Sequence, residues 1–325
     1  MTMEQKIIVP SLIVPDGNRG IDFDATSELF KHISKGIRNG LKYAEAVTGD
    51  KNSSKRVKTG FLLFSATTNG FDYPADLAEN LVGMARSADR DALVAITAWE
   101  TKDKRAVDYV KAAIACNADY VFLPLPIGKQ VNQYEYVDDI ADAIDGRPSL
   151  VLYENPGLTK GSYEIATISR LVRENKIQGI KDSNSDANHF KRVLDLDGRF
   201  ERFLGSEELF DIFLYEDEYR GKLAGIVPST ANPFPEFIGA LMGYYVADES
   251  IHVKENIRSL QLSHILMHGT QNERKYDSLL YLLSLRLIGG SAKQLEGKLG
   301  EPTVNLLRFV DKQLSEFYIH SQIPL

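Results

Sequence analysis

Residues 149–182 read SLVLYENPGLTKGSYEIATISRLVRENKIQGIKD, and this stretch decides the fold. A short apolar run at Ser149–Tyr153 is followed by an amphipathic stretch at 163–174 and then by a second apolar run at Gln178–Lys181. Short apolar runs without strict alternation are typical of parallel strands that are buried on both faces, and the amphipathic stretch between them predicts a helix. We therefore interpret this segment as a strand–helix–strand unit.

The same order of elements recurs along the chain. Eight apolar runs are predicted to be strands: Lys6–Val14, Gly60–Ala66, Ala92–Ala98, Asp119–Leu123, Ser149–Tyr153, Gln178–Lys181, Arg202–Gly205 and Ala224–Val227. Eight stretches are predicted to be helices, near 24–38, 74–87, 103–117, 133–145, 163–174, 186–197, 207–218 and 234–247. Strict alternation of this kind favours a closed (βα)8 TIM barrel over an open doubly wound sheet.

The predicted barrel occupies residues 1–248. Three further helical patterns, near 250–269, 272–289 and 302–318, follow without strands between them. They predict a C-terminal three-helix extension over residues 249–325. The segment 39–59 is longer than a usual helix-to-strand connection and has a basic, polar end at residues 51–58. We interpret it as a solvated insertion, and the alternative is a contact with an anion or a partner.

Composition excludes several classes of protein. The chain has 325 residues and a formal net charge of −7 without basic blocks, which argues against a nucleic-acid partner. Its single cysteine, Cys116, excludes an intramolecular disulfide and fits a reducing compartment. No run approaches the roughly 20 apolar residues of a membrane span, and the first residues lack the pattern of a signal peptide. We therefore expect a cytoplasmic protein that does not bind a membrane.

The candidate catalytic and binding residues lie at the ends of the predicted strands, because the active site of a TIM barrel forms at the C-terminal ends of its strands. Lys181 ends strand six beside apolar Ile180. Poor solvation lowers the pKa of an amine, and a neutral amine can attack a carbonyl to form a Schiff base. The alternative is a surface lysine that precedes a helix.

Other strand ends offer partners for this lysine. Tyr153 ends strand five and could relay protons, although it could also be a tyrosine at the barrel rim. Thr67 and Thr68 follow strand two, and their hydroxyls and amides could hold a carboxylate. Trp99 follows strand three, either as a wall of the site or as a core residue.

Four segments at these strand ends resemble the signatures of the dihydrodipicolinate synthase/N-acetylneuraminate lyase family: Ala66-Thr67-Thr68, Leu152-Tyr153-Glu154-Asn155-Pro156, Gly179-Ile180-Lys181-Asp182-Ser183 and Ser229-Thr230-Ala231-Asn232. They occur in the order of the family and at about its spacing. The resemblance runs from about residue 7 to at least 247. It implies a class I aldolase or lyase of the pyruvate type on a (βα)8 barrel.

The resemblance also implies roles for individual residues. Lys181 would form the Schiff base with a 2-oxo acid, and Tyr153 would be the general acid and base, with Thr67 in its proton relay. Thr67 and Thr68 would hold the substrate carboxylate, and Val227 would contribute a backbone contact near the imine. No metal or organic cofactor is implied, because the protonated imine is itself the electron sink.

The sequence departs from the family pattern in ways that bear on the substrate. The family usually reads Gly-Thr-Thr-Gly-Glu where this chain has residues 66–70, ATTNG, and the stretch 124–128 lacks the tyrosine that the family places there. Leu158 stands where dihydrodipicolinate synthases carry an arginine. These differences favour the neuraminate lyases and sugar-acid aldolases.

The segment that begins at Gly205 strengthens that preference. Glu207, together with Ser229, resembles the residues with which the sugar-acid enzymes bind a polyol, and Gly205 is included in this substrate-binding set. Carboxylates suit this task because they accept hydrogen bonds from hydroxyl groups. The alternative for Glu207 is compensation of the dipole of the following helix.

The leading hypothesis is a Schiff-base aldolase or lyase that joins or separates pyruvate and an aldehyde, both small molecules. The runner-up is dihydrodipicolinate synthase in lysine biosynthesis, and a third possibility is a dehydratase or hydratase-aldolase that uses the same imine. A hypothesis of another class is a non-catalytic protein that binds 2-oxo acids on the same barrel. The resemblance further implies a homo-oligomer, either a tetramer or a dimer.

Overall fold

The computed structural model describes residues 4–16, 20–144, 146–216, 218–219, 221–257, 275–286, 304–305, 307–309 and 311–312. The chain forms two compact units. The first unit comprises Met1–Pro10 and Lys58–Pro228, and the second comprises Ser11–Val57 and Ser229–Leu325.

Eight parallel strands close into a barrel in the order of the sequence. They are β1 (Gln5–Pro10), β2 (Val57–Leu63), β3 (Leu93–Thr97), β4 (Tyr120–Pro124), β5 (Ser149–Glu154), β6 (Gly179–Asp182), β7 (Glu201–Leu204) and β8 (Gly225–Ile226). The barrel closes where β1 pairs with β8, with Lys6 opposite Gly225. The predicted (βα)8 TIM barrel is confirmed.

The helices follow the strands as the sequence pattern predicts. They are α1 (Phe23–Thr48), α2 (Ala78–Ala88), α3 (Ala106–Ala115), α4 (Gln133–Ile144), α5 (Pro156–Thr159), α6 (Ile165–Arg173), α7 (Ala187–Leu194), α8 (Phe210–Phe213), α9 (Pro235–Ala247) and α10 (Lys275–Arg286). Among these, α2 to α8 belong to the first compact unit, and α1, α9 and α10 belong to the second. Residues 250–257 are also helical.

The interpretation of residues 39–59 as a solvated insertion is wrong for its first half, because α1 continues to Thr48. The Asn39-Gly40 pair resembles a helix end, but Gly40 lies against α9. A Cβ atom at Gly40 would lie 2.0 Å from the carbonyl oxygen of Glu236. The glycine therefore permits close contact of two helices of the second unit, and α1 ends only at Gly49, which has a φ of 76°.

The length predicted for the helix near 207–218 is also wrong. A 3-10 turn at Glu207–Leu209 leads into α8, which has only four residues. Strand ends differ as well. β1 stops at Pro10 instead of Val14, because the amides of Leu12 and Val14 donate to the side chains of Asn232 and Thr26 instead of to a neighbouring strand.

The N-terminal end of the barrel is filled by an ion pair among aromatic rings. Lys6 of β1 pairs with Glu201 of β7, and the Tyr120 hydroxyl donates to the same carboxylate at 2.9 Å. The Lys6 amine also lies 5.9 Å from the ring centroid of Phe203. Burial lowers the pKa of Lys6 to about 8. This end of the barrel is therefore closed by a paired, protonated lysine.

The division of the chain at residue 248 stays a prediction, because most of the predicted three-helix extension lies outside the described residues. The described part of that region contains α10, which falls within the predicted helix near 272–289. Within the described residues, no helix is long and apolar enough to cross a membrane.

Candidate active site

Strands β5 and β6 bring the two central predicted residues together. Tyr153 lies opposite Lys181 in the register of the two strands, and Glu154 lies opposite Asp182. Because successive side chains of a strand point to opposite faces, Tyr153 and Lys181 share the inner face of the barrel and the two carboxylates share the outer face. The Lys181 amine lies 3.6 Å from the centroid of the Tyr153 ring.

Lys181 is 3% exposed, so its amine has lost nearly all contact with water. Burial lowers the pKa of this amine to about 7, while the charges of Glu207 and Asp182 act in the opposite direction. The amine is thus substantially neutral near neutral pH, whereas an ordinary lysine is almost fully protonated. A neutral amine at the mouth of the barrel is chemically competent to attack a carbonyl carbon.

Gly205 creates the space that Lys181 occupies. A Cβ atom at this glycine would lie 2.9 Å from Lys181 Cε and 2.4 Å from Ser183 Oγ. The Gly205 amide donates to the Asp182 carbonyl at 2.7 Å, which fixes β7 against β6 at this point. The absence of a side chain at Gly205 is therefore a steric requirement of the lysine.

We predict that Gly205→Ala displaces the lysine and slows formation of a borohydride-trapped pyruvate adduct by about 10- to 100-fold, since small misplacements of a reacting group are costly. Overpacking should also lower the free energy of unfolding by about 1–3 kcal/mol. The matched control is Gly83→Ala, because Gly83 lies on the exposed face of α2 and no atom outside the backbone of its own helix lies within 4 Å of the added Cβ. Equal rates in the two variants would contradict the steric role.

Trp99 contacts the ring of Tyr153, and Asn155 forms a hydrogen bond with its hydroxyl group. The ring lies 6.1 Å from the Trp99 ring, centroid to centroid, and Trp99 is fully buried, with its indole donating to the Phe64 carbonyl at 2.6 Å. Of the two interpretations of Trp99, the core residue is correct. The side-chain amide of Asn155 (Nδ2) donates to the Tyr153 hydroxyl oxygen at 3.1 Å. Sequence reasoning missed this role of Asn155, although it stands two residues after the tyrosine in the quoted motif.

The loop that carries Thr67 and Thr68 leaves β2 through a sharp turn. Phe64 has a φ of 53°, in the left-handed region that side chains rarely adopt, and this ends the strand. Gly70 packs on the backbone of Phe64, where a Cβ atom would lie 2.0 Å from the carbonyl carbon. Asn69, at the position where the family has glycine, also has a left-handed φ of 49°. Asparagine tolerates this conformation better than most residues do, so the altered loop keeps a turn that glycine would favour.

The two threonines differ in their surroundings. The amide and the hydroxyl of Thr68 both donate to the Ser65 carbonyl, at 3.1 and 3.0 Å. Thr68 is buried, and its donors are used in the turn. Thr67 is half-buried, and its side chain makes no hydrogen bond within the described part of the chain. The structure therefore separates the predicted pair into a residue that forms the turn and a residue with an unused hydroxyl.

The remaining predicted residues lie at the ends of β7 and β8 or beyond. Glu207 is buried in the 3-10 turn after β7, and its charge interacts with Lys181. The Val227 amide donates to the Leu204 carbonyl at 2.8 Å and extends the pairing of β7 with β8. Ser229 belongs to the second compact unit, where its carbonyl accepts a hydrogen bond from the Asn232 side chain. Among the described residues, no group of three or more His, Cys, Asp or Glu side chains is arranged so that it could hold a metal ion.

The chain is similar to known proteins in part of its sequence and in its fold. Residues 126–283 match the model of the dihydrodipicolinate synthetase family. No curated protein sequence matches the chain. The fold is similar to that of dihydrodipicolinate synthase from Thermotoga maritima, with 19% identity over 99% of this chain and 100% of the other and a TM-score of 0.72.

Two further solved structures share the fold at similarly low identity. CdNal from Clostridium difficile, in complex with mannosamine, is 15% identical over 96% of this chain and 99% of the other, with a TM-score of 0.74. YagE, a prophage protein from E. coli K12 in complex with pyruvate, is 16% identical over 98% of this chain and 99% of the other, with a TM-score of 0.72.

The chain thus shares with these solved structures a closed (βα)8 barrel, and in this chain the barrel carries a desolvated lysine at the end of β6. The match to the dihydrodipicolinate synthetase family covers just under half of the chain and includes Tyr153 and Lys181.

Proposed function

We propose that this protein is a Schiff-base aldolase or lyase that makes or cleaves the carbon–carbon bond between pyruvate, or a closely related 2-oxo acid, and an aldehyde. The observation that carries the proposal is the buried Lys181 amine, 3.6 Å from the centroid of the Tyr153 ring. Burial favours the neutral amine, and the adjacent phenol supplies a group that can move a proton. The complexes of YagE with pyruvate and of CdNal with mannosamine support the choice of a 2-oxo acid and a sugar-like partner.

The chemistry begins at the ketone carbon. The neutral Lys181 amine adds to the carbonyl to give a carbinolamine. Its hydroxyl then leaves as water with a proton donated by Tyr153, and a protonated imine remains. In the cleavage direction, the substrate hydroxyl loses its proton as the carbon–carbon bond breaks. The aldehyde departs, and the bonding electrons pass to the imine as an enamine. Protonation of the enamine carbon and addition of water then release pyruvate and the free amine.

Tyr153 is the proposed general base and acid in these steps. Asn155 donates to its hydroxyl oxygen, so the phenol proton is directed away from Asn155 and toward another acceptor. Such a donor also favours the phenolate that forms when Tyr153 gives up its proton. Thr67 is proposed as the next group in the relay, because its hydroxyl is unused within the described residues.

The other proposed contacts hold the two ends of the substrate. Thr67 and Thr68 are assigned to the carboxylate of the 2-oxo acid, and Val227 to a backbone contact near the imine. For Thr68 the hydroxyl and amide are already bonded to Ser65, so its contribution is chiefly to hold Thr67 in place. Glu207, Gly205 and Ser229 are assigned to the hydroxyl-bearing tail of the aldehyde. The proposed assembly is a tetramer or a dimer in the cytoplasm.

The test is borohydride reduction of the protein in the presence of pyruvate, followed by intact-mass measurement and peptide mapping. We expect one reduced pyruvate adduct, located on Lys181. Lys6 is an internal control, because it is also a lysine of lowered pKa but is half-buried and paired with Glu201. The absence of an adduct on Lys181 would refute the proposal.

A panel of aldehydes then separates the members of the class. Cleavage or synthesis of a sugar acid would support the leading assignment, and condensation with aspartate semialdehyde would instead identify a dihydrodipicolinate synthase. Tight binding of pyruvate analogues without an adduct or turnover would identify a 2-oxo-acid binding protein.

A further inference from the structure

Three ionisable side chains form a buried cluster on the outer face of β5 and β6. Glu154 and Asp182 are register partners on these strands, and each is 1% exposed. His189 of α7 covers them and is also buried. Its Nδ1 lies 2.9 Å from Asp182 Oδ2, and its Nε2 lies 4.0 Å from Glu154 Oε1. Two carboxylates are thus packed side by side with one imidazole.

The hydrogen bonds of the cluster leave one carboxyl oxygen unmatched. Asp182 accepts from the Asn184 amide at 2.7 Å and from His189, so both of its oxygens have donors. Glu154 Oε1 accepts from the Tyr163 amide. Glu154 Oε2 and His189 Nε2 are buried without a hydrogen-bond partner among the described residues. A carboxylate with a bare buried oxygen is expensive to ionise, whereas a carboxylic acid is not.

The groups that face Glu154 act on its ionisation in opposite directions. Burial, followed by the charge of Asp182 on β6, raises the pKa of Glu154 to about 7. His189 on α7 and, before α6, the Tyr163 amide and Ser162 hydroxyl oppose this rise. The Asp182 hydrogen bond raises the pKa of His189, while Arg192 on α7 lowers it. Burial and the neighbouring Asp182 therefore favour a proton on Glu154 over a second buried negative charge.

We propose that Glu154 is a positioning residue that holds a proton between β5 and β6, and that loss of this proton sets the alkaline limit of imine formation at Lys181. This inference rests on the proposed function of the site. It adds a group that neither touches the substrate nor belongs to the inner face of the barrel.

The backbone of β5 and β6 connects the cluster to the inner face, because its carboxylates are adjacent in sequence to Tyr153 and Lys181. Glu154 lies between Tyr153 and Asn155, the two residues joined by the hydrogen bond at the phenol. The Glu154 carbonyl accepts from the Ser183 amide at 3.0 Å, and Asp182 directly follows Lys181. An ionised Glu154 would place a second negative charge beside Asp182 and draw its carboxylate toward water. That movement would displace Tyr153 on one strand and strain Lys181 on the other.

The decisive experiment measures the rate of the pyruvate adduct against pH in the wild-type protein and in Glu154→Gln. The wild-type profile should rise as Lys181 becomes neutral and fall as Glu154 ionises. In Glu154→Gln the rising limb should stay, and the falling limb should move up by at least about one pH unit, which gives a roughly tenfold or greater advantage over the wild type at about pH 8.5. An unchanged falling limb would overturn the proposal.

The matched control is Glu174→Gln, which neutralises an exposed carboxylate that pairs with Arg170 at 2.9 Å after the end of α6. Its profile should follow the wild type, because an exposed ion pair contributes little. A shift equal to that of Glu154→Gln would show that the change in the net charge of the protein causes the effect. This result would overturn the proposal.

A measurement on the protein without substrate separates this inference from the proposed function. In a wild-type minus Glu154→Gln infrared difference spectrum, the carbonyl stretch of a protonated carboxylic acid should be present at about pH 6 and absent at about pH 9. If no adduct forms at any pH, the proposed function and the catalytic part of the inference fail, and the infrared band still decides whether Glu154 holds the proton. Absence of the band would overturn the inference even if the adduct forms on Lys181.

Discussion

Lys181→Met is expected to abolish the borohydride-trapped pyruvate adduct and turnover, and at the same time to stabilise the fold near neutral pH. Methionine fills a similar volume without a charge, so the variant loses the nucleophile and also the cost of burying an ammonium group. Loss of the adduct should be complete, because Lys181 is the only buried lysine among the described residues.

The sign of the stability change depends on pH. The pKa of Lys181 is about 7 in the folded protein and 10.5 in the unfolded chain. The unfolded chain therefore binds more protons than the folded protein between these two pH values. The contribution of Lys181 to wild-type stability therefore rises with pH from about 7 to about 10.5. The gain of Lys181→Met should be largest below pH 7, on the order of 4 kcal/mol, and should vanish above about pH 10.5. Chemical denaturation at several pH values measures this difference.

Lys6→Met is the contrasting control. Lys6 pairs with Glu201 at the opposite end of the barrel, so its removal leaves a partly buried carboxylate without its cation. We expect this variant to form the pyruvate adduct at the wild-type rate but to be less stable. A stabilised Lys6→Met, or a Lys181→Met that still forms the adduct, would contradict the assignment of the two lysines.

Tyr153→Phe is expected to lower turnover by about 10²- to 10⁴-fold, the usual contribution of a general acid or base. The substitution keeps the ring against Trp99 and the Lys181 amine but removes the hydroxyl that accepts from Asn155. Packing and the surroundings of the lysine should therefore stay close to those of the wild type. The loss should fall mainly on kcat, because the missing group acts in proton transfer.

The control for the loss of a buried phenol is Tyr109→Phe. Tyr109 on α3 is buried, and its hydroxyl donates to the Tyr73 carbonyl at 2.7 Å. Its loss should cost about 1 kcal/mol of unfolding free energy and leave turnover unchanged. Equal turnover in Tyr153→Phe and the wild type would remove Tyr153 from the mechanism.

Some features of the site could be predicted from sequence because they depend on the local order of elements. Lys181, Tyr153 and Thr67 each stand where an apolar run ends, and in a TIM barrel those ends face one mouth. The structure confirms the strand positions, with Tyr153 opposite Lys181. The continuation of α1 past Gly40 could not be predicted, because the reason for a glycine there is a helix about 200 residues away.

Other features could be seen only after folding. Thr68 looks equivalent to Thr67 in the sequence, but the turn after Phe64 directs its donors to Ser65. Glu154 and His189 are 35 residues apart, and nothing in the local pattern of either predicts a shared proton. Their proximity arises because α7 packs over the outer face of β5 and β6.

The sequence by itself determined the barrel, since hydrophobic periodicity is a local property that each strand and helix carries within its own residues. It also placed a lysine and a tyrosine at neighbouring strand ends. The tertiary structure decided what those residues can do. The lowered pKa of Lys181, the space beside Gly205 and the unmatched oxygen of Glu154 all depend on desolvation and contacts from distant segments. Such effects exist only when the chain has closed around them, because water screens the same groups in the unfolded chain.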